Sequence, residues 1–221
     1  VPVTEKRKII IRRIKMPRYS EALTDQRKTE IIDACEKLYR TRGFKDITIK
    51  DIGLEISCSR PSIYNYFETK EEIFLALLTR EYEEWIADIR TVAGGKEHPG
   101  ADELADQLAG TLEKRTVLLK ISSMNLYEIE ENCRLDRLAE YKKVFRSCID
   151  AFGECLERHL PDVSGEKMAQ IQYVLFPFML GIYPYVYPTD KQCEAMDEAG
   201  IKHPEITVYS ITYNLLKQVL K

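Results

Sequence analysis

Apolar residues recur at three- and four-residue spacing along nearly the whole chain, and no stretch of useful length alternates as a strand does. Residues 24–42 place Ile31, Ala34, Cys35, Leu38 and Tyr39 on one helical face, and Gly43 suits the position just past the helix end. Ile49, Ile52 and Ile56 give the next, shorter helix its apolar face, with Thr48 and Asp51 spaced as a capping box in front of it. Ser57-Cys58-Ser59 breaks the pattern. Ser59 then suits an N-cap, Pro61 falls in the first turn where a missing N–H does no harm, and Ile63 and Phe67 turn inward. Residues 70–92 carry a long stripe of Phe74, Leu77, Leu78, Trp85, Ile86 and Ile89, followed by a Gly/Pro-rich loop over 93–100. Further helices are predicted over 101–121, 124–131, 134–160, 165–183 with an interruption at Pro177, 191–199 and 204–220, with an extended turn between Pro184 and Pro188. The expected fold is all-α: a three-helix N-terminal unit and a C-terminal helical bundle.

The second short helix after the Ser57-Cys58-Ser59 turn leaves Arg60, Ser62, Tyr64, Asn65 and Tyr66 on its outer face. Guanidinium, hydroxyl, amide and phenol groups on one short helix suit base-pair edges and the phosphates beside them. Two short helices joined by a tight turn, the second polar on its outside, form a helix-turn-helix pattern, and the expected partner is double-stranded DNA.

The stretch from about Thr24 to Phe74 resembles the DNA-binding domain of the tetracycline-repressor (TetR) family. The resemblance is carried by Tyr39 with Gly43-Phe44, by Thr48 with Asp51-Ile52-Gly53, by Ser57-Cys58-Ser59, by Tyr64-Asn65-Tyr66-Phe67 and by Lys70-Glu71-Glu72-Ile73-Phe74. Ser57 and Cys58 depart from the Gly and Val usual in that turn. The resemblance implies a homodimeric transcriptional regulator, most often a repressor, that binds a palindromic operator and is released by a small hydrophobic or aromatic inducer. It implies that Arg60, Ser62, Tyr64 and Asn65, with Ser59 at the helix start, face the groove, and that Thr48, Tyr66 and Lys70 face phosphates. A DNA-bound regulator switched by a protein partner or by cysteine oxidation, with no inducer, is the competing expectation.

Charge supports the same division. Residues 1–70 hold 16 Lys and Arg against 10 Asp and Glu, and the remainder holds 17 against 26. A basic front and an acidic body suit a nucleic-acid-facing end on a solvated bundle. The expected organisation is a basic extension over 1–15, a DNA-binding domain over 16–69 and a ligand-binding and dimerisation domain over 70–221. The six cysteines form no Cys-x-x-Cys pair, and several sit at apolar helical positions, the usage of a reducing compartment. With no run of about 18 apolar residues and no secretion signal, a cytoplasmic location without a membrane partner is expected. Phosphate-binding, dinucleotide-binding and nucleophile-elbow motifs are missing, and three histidines without regular spacing make no acid–base constellation. The chain is therefore not read as an enzyme, and no cofactor or metal is expected. Cys155 and His159, four apart on one helix, lack a third ligand.

The aromatic-rich second half is where an inducer pocket is expected. Phe145, Phe176, Met179 and Tyr183 are its candidate lining, and Asn125 and Tyr127 its polar anchors. The dimer interface is expected from a helix carrying Met168, Ile171, Val174, Leu175, Phe178 and Ile182, and from one carrying Ile206, Tyr209, Tyr213, Leu216 and Leu220.

Overall fold

The computed structural model describes residues 18–56, 59–95, 100–202 and 205–221. The basic extension and the residues Ser57 and Cys58 of the turn lie outside them. The elements in chain order are α1 (Arg18–Tyr39), a 3-10 turn (Phe44–Asp46), α2 (Ile49–Glu55), α3 (Arg60–Ile63), α4 (Lys70–Ala93), α5 (Ala101–Glu113), α6 (Thr116–Ser122), a π-helical turn (Asn125–Ile129), a second 3-10 turn (Glu130–Asn132), α7 (Leu135–His159), α8 (Gly165–Val186), α9 (Asp190–Glu198) and α10 (Val208–Val219). No strand occurs among the described residues.

Local chemistry sets most of these boundaries. Thr48 and Asp51 form the capping box of α2, Ser59 caps α3 by accepting from the Ser62 amide, and Thr69 caps α4 by accepting from the Glu72 amide. Thr189 with Gln192 and Thr207 with Ser210 make capping boxes for α9 and α10. Ile31, Cys35, Leu38 and Tyr39 of α1 close over Ile52 of α2, Ile63 of α3 and Phe74 of α4. Phe74 meets Tyr39 and Phe44 edge-on at 4.9 and 4.8 Å.

Helix α4 is the spine. Its first turns belong to the N-terminal core, and Tyr82, Trp85, Ile86 and Ile89 further along are buried in the body. It runs beside α7, while α5 runs beside α10. Trp85 donates its indole N–H to Thr111 of α5 at 3.0 Å, which satisfies the one polar atom of a fully buried ring.

Three predicted boundaries are corrected. The single helix expected over 101–121 breaks between Glu113 and Thr116, because Arg115 leaves helical geometry and reaches Asp88 and Glu84 on α4. The helix expected over 124–131 is instead a π-helical turn followed by a 3-10 turn. Helix α8 is not interrupted at Pro177 and does not give way at Pro184; it continues to Val186. Both prolines stand on exposed faces, so the carbonyls they leave without a donor lie where water or another donor can reach.

Candidate DNA-reading unit and body cavity

On the outer side of α3 and the turn after it, Arg60 bonds to Tyr64 and Ser59 to Ser62. Arg60 donates from Nε and from a terminal guanidinium nitrogen to the Tyr64 hydroxyl at 3.1 and 2.9 Å, and its guanidinium lies 5.5 Å from the Tyr64 ring centre. Ser59 and Ser62 hydroxyls are 2.7 Å apart. Arg60, Tyr64 and Asn65 are exposed, whereas Ile63 and Phe67 of the same segment are buried. A buried anchor with an exposed polar tip is what a helix laid in the major groove needs.

Three residues expected at phosphates are placed differently from one another. Thr48 is exposed, but its hydroxyl and amide are both committed to the Asp51 carboxylate, at 2.5 and 2.9 Å. That bond holds the Asp51 carboxyl below its ordinary range. Tyr66 is half-buried against the core. Lys70 turns inward: Nζ donates to the Phe44 carbonyl at 2.8 Å and sits 3.9 Å from the Phe44 ring centre. Its half-buried ammonium is thus engaged by the turn before α2.

In the body, a cavity of about 400 Å³ opens between α4, α7, α8 and the π-helical turn. Phe145, Phe176, Pro177 and Leu180 form its apolar wall, and Tyr173, largely exposed, stands at its mouth. Phe145 and Phe176 meet edge-on at 5.5 Å, and Tyr82 meets Phe145 at 5.4 Å. One end is polar. Asn125 Nδ2 donates to Glu130 at 2.6 Å, and Lys142 Nζ donates to the same carboxylate at 2.8 Å. Asn125, Phe145 and Phe176 thus come together as expected. Tyr127 does not join them, being 86% exposed, since the π-helical turn rotates it away from Asn125. Met179 and Tyr183 do not line the cavity either: Met179 is buried in the protomer core and Tyr183 lies one turn further along, packed on Tyr187. Tyr82, Tyr141, Glu130 and Gln172 line the cavity without having been expected. The helical spacing of Ala169, Tyr173, Phe176 and Leu180 on α8 was the signal available for that wall.

The segment at the polar end also touches the DNA-reading unit. Thr69, the cap of α4, donates its hydroxyl to the Asn132 carbonyl at 3.3 Å. Arg134 reaches Glu68 at 3.0 Å and clasps the buried Glu72 carboxylate at 2.6 and 2.9 Å. Burial pushes the Glu72 carboxyl up, but the Arg134 hydrogen bonds and the Glu68 amide outweigh it and hold it below the ordinary range.

Cysteine and metal chemistry find little support in the placement. Burial pushes the Cys148 thiol well up and the Cys155 thiol up to about 11. His159 Nε2 lies 3.2 Å from the Val92 carbonyl. No group of three or more His, Cys, Asp or Glu side chains able to hold a metal gathers among the described residues. No helix among them is long and apolar enough to cross a membrane.

A capped helix pair with a polar outer face, set on a helical body with its own cavity, defines a helix-turn-helix regulator. The sequence profile for bacterial regulatory proteins of the tetR family matches residues 31–77, and that for the tetracyclin repressor-like C-terminal domain matches residues 79–221. The chain belongs to the TetR family, a family of transcriptional regulators and not of enzymes. The "Uncharacterized HTH-type transcriptional regulator YfiR" of Bacillus subtilis (strain 168) is 31% identical over 118 residues, 53% of this chain and 48% of that protein. EthR of Mycobacterium tuberculosis (strain ATCC 25618 / H37Rv) is 33% identical over 69 residues, 31% of this chain and 32% of that protein. The chain's match thus spans about half the length of the first relative and about a third of the second. Among solved structures, a TetR/AcrR-family regulator from Thermobifida fusca YX-ER1 superposes with a TM-score of 0.60 at 17% identity, covering 89% of this chain and 97% of that one. FadR from Bacillus subtilis in complex with stearoyl-CoA gives 0.57 at 13% identity, over 87% of this chain and 97% of that one. These likenesses are of fold.

Proposed function

We propose that the chain is a ligand-responsive DNA-binding repressor that acts as a homodimer on a two-fold symmetric operator. The observation that carries this reading is the outer side of α3 and the turn after it, where Arg60, Tyr64 and Asn65 are exposed over the buried Ile63 and Phe67. Such a helix has no task in its own protomer's core. Arg60, Ser62, Tyr64 and Asn65 read the groove, Ser59 sits at the helix start, and Thr48 with the α2 N-terminus lies beside a phosphate.

Dimerisation is assigned to one face of α8. Ile171, Leu175, Ile182, Leu216 and Leu220, expected at the interface, are buried in the protomer and hold α8 and α10 to their own bundle. Val174, Phe178, Gly181 and Tyr185 form the adjacent stripe at three- and four-residue spacing; Val174 and Tyr185 are 40% and 74% exposed. Val174→Glu with Tyr185→Glu leaves the fold intact, gives a monomer by light scattering and abolishes operator binding. A stable dimer in that double variant refutes the face.

Ligand control runs through the segment from Asn125 to Arg134. Its first residues form the polar end of the cavity, and its last grip Thr69, Glu68 and Glu72 at the start of α4. A ligand that rearranges Asn125 and Glu130 shifts the population between two settings of the DNA-reading units. Stearoyl-CoA belongs to the FadR neighbour and is not carried over, since 13% identity transfers fold alone. The buried, weakly acidic thiols of Cys148 and Cys155 give the cysteine-oxidation alternative no comparable support, and Cys58 lies outside the described residues.

A further inference from the structure

The polar end of the cavity is unevenly equipped. Its donors are engaged: Asn125 Nδ2 and Lys142 Nζ on Glu130, and Gln172 Nε2 on the Ile149 carbonyl at 3.1 Å. One of its acceptors is not. Asn125 is 3% exposed and its Oδ1 has no hydrogen-bond partner. The amide cannot gain by flipping, because that would set its oxygen against the Glu130 carboxylate. A buried acceptor left open is costly, so an arriving donor is rewarded there. Pro177, in the same wall, has no N–H and leaves the Tyr173 carbonyl without its usual helical donor. Glu130 is paired to Lys142 at 2.7 Å, so a carboxylate and an ammonium stand together at this end.

We propose that this cavity selects molecules presenting a hydrogen-bond donor, as an alcohol, amide or protonated amine, on an apolar or aromatic body, and rejects carboxylates and other anions. The inference rests on the reading of the cavity as the sensing site. An incoming hydroxyl or ammonium that turns the Asn125 side chain toward the cavity donates to its Oδ1, while Phe145, Phe176 and Leu180 cover the body. A carboxylate brings only acceptors to a wall where the donors of Asn125, Gln172 and Lys142 are already engaged.

The test is calorimetric titration of the full chain with three straight-chain probes of ten carbons each: decan-1-ol, decylamine and sodium decanoate. The alcohol and the amine bind, with the acid weaker by tenfold or more. In Asn125→Leu the alcohol loses about tenfold (1.4 kcal/mol,) while the acid is unchanged, so the selectivity ratio falls. In Glu130→Gln the amine loses relative to the acid. Because these are ratios within one variant, a general loosening of the fold does not mimic them. Equal binding of all three probes with ratios unmoved by Asn125→Leu overturns the selectivity while leaving the pocket standing. Binding by none of them overturns the sensing site and the selectivity together.

Discussion

Truncating Phe176 to alanine separates a cavity wall from ordinary core. Phe176 is half-buried, lines the cavity, and makes edge-on ring contacts with Phe145, Trp85 and Phe152 at 5.5, 6.1 and 6.1 Å. Phe152, its neighbour on α7, is fully buried and does not line the cavity. A fully buried phenylalanine loses about 3–5 kcal/mol on truncation, from lost transfer energy and the void left behind. Phe152→Ala should sit in that range. Phe176 already lacks packed atoms on its cavity side, so about half the transfer energy and the ring-pair contributions are at stake. That comes to roughly 1.5–2.5 kcal/mol. At about 2–4 °C per kcal/mol for a chain of this size, Phe152→Ala lowers Tm about twice as far as Phe176→Ala. Urea midpoints at unchanged m-value give the comparison. Equal losses in the two variants would mean that the cavity is closed in solution, and the sensing reading would fall with it.

Two further outcomes follow from the junction of the DNA-reading unit with the body. Arg134→Met strips the buried Glu72 carboxylate of its cation, so the unfolding midpoint falls near neutral pH. Because Arg134 holds the folded Glu72 value down, its contribution is present above the ordinary glutamate value of about 4.3 and fades as pH falls through the lower folded value. The gap between variant and parent therefore narrows in acid; a gap independent of pH would show that Arg134 acts otherwise. Lys70→Met costs roughly 1–2 kcal/mol in chemical unfolding by losing the Phe44 carbonyl and ring contacts. The salt dependence of DNA binding stays as in the parent, and a slope flatter by about one per half-site would restore Lys70 to the phosphates.

Much of this architecture was legible because its signals are local. The caps at Thr48 and Ser59, the stripe of α4 and the stop after His159 each depend on a few neighbouring residues. The break at Arg115 was not legible: no glycine or proline marks it, and its cause is a pair of carboxylates on α4 some thirty residues away. Pro177 and Pro184 misled in the opposite sense, since local rules forecast a break that the surrounding packing overrides. At the site, Asn125, Phe145 and Phe176 were readable as polar anchor and aromatic wall, whereas Tyr127 depended on a π-helical turn that spacing does not announce. The inward turn of Lys70 follows from a carbonyl twenty-six residues earlier, and a motif match cannot say whether a lysine in its frame faces DNA or its own chain.

The central claim is that the α3 face reads DNA as one half of a two-fold pair. Selection of bound duplexes from a random pool by the purified full chain tests it most directly, run in parallel with Arg60→Ala. The expected product is an inverted repeat whose half-site centres lie about 34–36 Å apart along the duplex or at a multiple of that spacing. Arg60→Ala should lose preference at one symmetric pair of positions, at about 1–3 kcal/mol each, while keeping the rest of the site. Enrichment of an asymmetric site, or a sequence preference identical in the parent and in Arg60→Ala, would contradict the account.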